Sequence, residues 1–137
     1  MPTRSQLLIN AIRDHNTSLA LGNVYNETNP VTSAVTQLTS RTTGVTVTSK
    51  AGSITTSTAS LAAETSASFV VTCLGVAVGD VVVVCVRSGA VGLMTSAEVT
   101  AVGVNSFTLT VANHNAAAGI AETGSIVINF CVIQARV

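Results

Sequence analysis

The chain has 137 residues and no net charge; 47% of it is hydrophobic and only 9% is charged, against roughly 25% charged in an average soluble domain. That length suits one domain with a core of its own, without help from disulfides or metals. The six basic residues, Arg4, Arg13, Arg41, Lys50, Arg87 and Arg136, form no run, which argues against the clustered positive charge that binding to nucleic acid requires.

The first thirty residues carry the one helical pattern. Leu8, Ile12, His15 and Leu19 recur at steps of four, three and four, the spacing of one helix face. Thr3 and Gln6 fit a capping box, and Gly22 is a natural stop. A helix over roughly residues 4–20 is expected, followed by an extended connector through Asn26, Asn29 and Pro30. Its apolar face needs a cover, because a lone helix of this length is marginal in water. That cover can be the chain's own β domain, where the helix would plug one end of it, or the surface of a neighbouring subunit or other partner. The partner surface is favoured, so residues 1–30 are expected to form an attachment arm, with Leu8, Ile12, His15 and Leu19 as its partner-binding residues. Met1–Asn10 has no apolar core of the signal-peptide kind.

From residue 31 to 137 the period changes from helical to alternating. Thr43–Thr48 alternates apolar and hydroxyl side chains, as a half-buried strand does. Lys50–Ser53 reads as a turn, Ile54 as the start of a short strand, 58–64 as a loop and Ser68–Cys73 as a strand. Gly75 and Gly79-Asp80 mark a break, with Asp80 capping the turn. Val81–Val86 is the most apolar run; it is far too short to cross a bilayer as a helix and reads as a buried strand. Strands follow at Ala97–Val104, Phe107–Val111 and Ser125–Ile133, separated by turns at 88–92, 105–106 and 113–119. The pattern predicts an all-β fold, an antiparallel β-sandwich of jelly-roll type with seven or eight short strands. Phe69, Val71, Val82, Val84, Phe107, Leu109, Ile128 and Phe130 are the expected core.

Little in the chain suggests chemistry. Cys73, Cys85 and Cys131 match no zinc or redox spacing and read as small buried hydrophobes with free thiols, in keeping with synthesis in a reducing cytoplasm. His15 falls on the helix face, and His114 lies in a loop between two asparagines. Glu64, Glu98 and Glu122 are isolated in sequence. The expectation is a protein that is not an enzyme, with no catalytic residues, no metal and no cofactor. The only aromatics are Tyr25, Phe69, Phe107 and Phe130, and the three phenylalanines sit in strand patterns. That scarcity argues against stacking on sugars or on single-stranded nucleic acid.

Val35-Thr36-Gln37-Leu38-Thr39-Ser40-Arg41-Thr42-Thr43-Gly44-Val45-Thr46 resembles the opening of small proteins encoded among tailed-phage and prophage virion genes. Gly52–Thr56, Ser68–Thr72, Asp80–Val83 and Ile126–Ile133 continue the likeness in the same order, so that it spans roughly residues 33–133. The resemblance implies a virion structural protein made in the host bacterial cytoplasm: a capsid decoration or cement protein that sits on the head surface, binds the major capsid protein and assembles as a homotrimer. It supplies no catalytic residue, and no nucleic-acid or membrane partner is expected. The alternative is a receptor-binding or fibre-tip module of the tail that recognises host surface glycans.

Overall fold

The computed structural model describes Thr3 and residues 32–91, 94–116 and 119–135. The chain divides into two units, Met1–Val31 and Thr32–Val137, and the strands of the described residues lie in the second. The expected helix, with Leu8, Ile12, His15 and Leu19, lies outside the described residues.

Eight strands form in chain order: β1 Ser33–Thr36, β2 Val45–Val47, β3 Ala51–Thr55, β4 Thr65–Cys73, β5 Val81–Ser88, β6 Thr95–Gly103, β7 Ser106–Asn113 and β8 Val127–Ile133. They make two four-stranded sheets, ordered β1-β3-β8-β5 and β2-β4-β7-β6. The all-β sandwich expected from the alternation is what forms. Strand direction reverses at every connection, and the chain changes sheet at every connection except the β6–β7 hairpin. Strands β1 and β3, reached by crossing out and back, therefore run in the same direction within their sheet and pair in parallel, as do β2 and β4. The other four pairings are antiparallel, so both sheets are mixed rather than wholly antiparallel.

Period-two alternation shows most clearly in the second sheet. β4 and β7 bury Ala67, Phe69, Val71 and Cys73, and Phe107, Leu109, Val111 and Asn113, at alternate positions. From the first sheet Ile54, Ile128, Phe130 and Val132 meet them. The Phe107 and Phe130 rings, one from each sheet, lie 5.8 Å apart at a tilted 44°, an aromatic arrangement that adds to plain burial.

Several sequence expectations need correction. Val81–Val86 is not a buried strand. It is the edge of the first sheet, with Val81 and Val83 exposed on its outer side and Val82, Val84 and Val86 only half-buried against the core. An unbroken apolar run reads as burial on both faces, but an edge strand has one flank with no neighbour. The thiols divide in the same way: Cys73 is buried, Cys131 half-buried and Cys85 exposed. The expected turn at Lys50–Ser53 comes earlier, because Ala51 and Gly52 already pair with Cys131 and Phe130 of β8.

Candidate interaction surface

The register defines two ends. At the near end lie the start of β1, the β2–β3 turn, the β4–β5 loop, the β6–β7 turn and the finish of β8. The far end carries the 37–44, 56–64, 89–94 and 114–126 connections. Both ends expose aliphatic side chains, Leu38, Ile120 and Met94 at the far end among them, but they differ in what lies beneath.

The far end is locked by buried polar groups. Gln37 Nε2 donates to the carbonyls of Thr43 at 2.7 Å and Arg41 at 3.3 Å, while its Oε1 accepts from Ser57 N. Arg41 is buried and reaches four acceptors: Nε donates to Ala59 O, Nη1 to Thr56 Oγ1, and Nη2 to the carbonyls of Glu122 and Gly124. Thr56 Oγ1 also accepts from Ile126 N at 2.9 Å. The carboxylate of Glu122, itself fully buried, accepts from Val91 N and from Thr95 Oγ1 at 2.6 Å. Burial pulls the Arg41 pKa below its ordinary value, and the Glu122 charge opposes that pull. Asn113 adds a further clamp, donating from Nδ2 to Leu61 O and Ile120 O. Among the described residues every buried side-chain nitrogen or oxygen has a partner, which is the condition for a buried polar network to stabilise rather than cost. Gln37 and Arg41, within the stretch that resembles virion proteins, thus form part of a fold lock.

The near end is apolar and open. Leu74 and Val78 on the β4–β5 loop are 81% and 68% exposed, and Val104 on the β6–β7 turn is 71% exposed. Val81 and Ile133, cross-strand partners, add exposed surface at the same end. These side chains stand on an ordered support. Asn105, in the left-handed region at φ 57°, accepts from Gly75 N through Oδ1 at 2.8 Å; its backbone bonds Cys73 N and Val76 O. Asp80 caps its turn as expected, accepting from Ala77 N and also from Ala135 N at 3.0 Å each. Lys50 Nζ donates to Gly75 O. Four chain segments are therefore pinned together beneath a set of exposed aliphatics.

The remaining groups with chemical potential stay apart. His114 Nε2 bonds Ser96 Oγ at 2.9 Å in an exposed position. Among the described residues no three His, Cys, Asp or Glu side chains gather as a metal site would need, and no helix is long and apolar enough to cross a membrane. The outer face of the second sheet is rich in hydroxyls, with Thr110 Oγ1 bonded to Ser68 and Thr100. Sequence reasoning found Asp80 by its place before a strand. It missed the Arg41–Glu122 lock, whose partners are 81 residues apart and carry no local signal. It also missed the near end, where single exposed aliphatics in separate loops and strand ends converge only in three dimensions. Comparison with protein-family models, with curated proteins and with solved structures gave no match.

Proposed function

We propose that the chain is a structural component of a phage virion, a capsid decoration or cement protein that docks on the major capsid protein at the head surface and braces the shell. The observation that carries the reading is the near end: Leu74, Val78 and Val104 are held on hydrogen-bonded supports and presented outward. A group of exposed aliphatics of this kind marks an interaction surface, and its scarcity of charge suits a protein partner rather than a nucleic acid. The resemblance of Val35–Thr46 and the later strands to virion proteins supplies the kind of partner. Residues 1–30, with Leu8, Ile12, His15 and Leu19, act as a second attachment element.

Particles assembled without the chain provide the test. Added back, the full chain should bind saturably, in a copy number that tracks the major capsid protein, and should raise the temperature at which the heads release DNA. The pair Leu74→Asp and Val104→Asp should abolish that binding while leaving the far-ultraviolet spectrum unchanged. Absence from particles overturns the reading. A copy number that tracks the tail instead favours the fibre-tip module.

A further inference from the structure

The sandwich has four edge strands, and three of them are protected against pairing with another chain. β1 and β2 are only four and three residues long. β6 carries Glu98 and breaks register between Val99 and Ala101. Short edges, charges and bulges are the usual defences of an exposed sheet edge. β5 has none of them over Val81–Cys85, and its register break comes only between Val86 and Ser88. Its inward side chains Val82, Val84 and Val86 remain half-buried, whereas the β8 residues paired with them, Val132, Phe130 and Ile128, are buried. Among the described residues no strand pairs with the outer edge of β5, and the core behind it is half-open on this flank.

We infer that β5 pairs antiparallel with β5 of a second copy of this chain, joining the two first sheets across a two-fold axis. The sequence of the strand is self-matching. A two-fold through Val83 sets Val83 on Val83, Val82 opposite Val84 and Val81 opposite Cys85, so every opposed pair lies on one face and is apolar, the combination that stabilises cross-strand neighbours. The direction follows from this match, since the two-fold keeps each opposed pair on one face, and the exposed Arg87 of each copy falls opposite Gly79 of the other, away from a like charge. An isologous contact of this kind closes on itself. The partner strand also covers Val82, Val84 and Val86, the flank the monomer leaves half-open. The pairing holds whether or not the chain sits on a particle.

Sedimentation of the purified full chain at micromolar concentration is the experiment. The wild type should sediment at twice the 13.8 kDa chain mass. Val83→Lys alone and Val83→Glu alone should each fall to the monomer, since each sets like charges together at the axis, and mixing the two should restore the dimer. Val83 is half-exposed, so both variants should keep the wild-type far-ultraviolet spectrum; Ser68→Lys, on the outer face of the other sheet, should remain a dimer. Because edge pairing leaves the outer face open apart from the one Val81 of the second copy beside each Cys85, that thiol should remain reactive towards a thiol reagent in the dimer. A wild-type monomer, a trimer, or variants that stay associated without mixing would overturn the proposal. So would a dimer in which Cys85 is protected, which would be packed through the outer face instead.

Discussion

Replacing Arg41 with alanine would strip hydrogen bonds from four acceptors at the far end and remove a positive charge that interacts with the fully buried Glu122. Breaking one side of a buried charged network costs about 3 kcal/mol or more, so the denaturant midpoint of Arg41→Ala should drop steeply. Arg41→Lys should recover less than half of the loss, because an ammonium cannot serve divergent acceptors as a guanidinium fork does. At the opposite end Cys73 gives a pH dependence whose sign follows from its surroundings. Burial raises its thiol pKa, against a smaller lowering from Lys50. With the folded pKa above the unfolded one, the native state holds the proton longer. The associated stability is complete below the ordinary thiol range, about 8.5, and is lost as pH rises through the folded value. Thermal melts should fall as pH rises from about 8 to about 10, and the fall should be smaller in Cys73→Ala. Cys131 is raised by burial in the same sense, so a residual slope should survive in that variant.

The parallel pairing of β1 with β3 depends on one residue at the level of elements. A Cβ at Gly52 would lie 2.0 Å from the Ser33 carbonyl oxygen, a distance no side chain tolerates, so β1 can lie beside β3 only because position 52 has none. Gly52→Ala should peel β1 away, seen as rapid hydrogen exchange of the Ser33–Thr36 amides while those of β4 and β7 stay protected. Alternation of apolar with hydroxyl side chains makes the strands of the second sheet legible in the sequence alone, because β4 and β7 each have one wet and one dry face. Pairing is not legible there. Alternation says which side of a strand is buried and nothing about which neighbour it meets, and the sheet changes that make β1 and β2 parallel edges leave no mark in composition. Val81–Val86 misleads for a related reason: six successive apolar residues look the same in a central strand and in an edge strand. The far-end lock lies inside a stretch that stands out by resemblance, yet its role emerges only when the fold brings Glu122 and Thr56 beside Arg41.

For the whole molecule, the attachment proposed for residues 1–30 and the sandwich core should be separable. Phe69, Phe107, Ile128 and Phe130 are all buried within residues 32–137. A chain lacking residues 1–29 should therefore keep a β-type far-ultraviolet spectrum and a cooperative melt, while binding particles more weakly than the full chain. Truncation that unfolds the remainder would show instead that the first thirty residues belong to the core. The position of β8 sets a different kind of limit, one of time. It is the last strand in the chain, yet it lies inside the first sheet, bonded to β3 on one side and β5 on the other. Until residue 133 has left the ribosome, β3 and β5 have no strand between them, and the aliphatic flank of β5 stays open. Pairings between residues this far apart in sequence also close slowly, because loop entropy is lost before any contact compensates it. Folding should wait for β8 and be on the slow side for a domain of this size. A nascent chain stalled before Val127 should be degraded or aggregated, whereas one released just after Ile133 should resist protease.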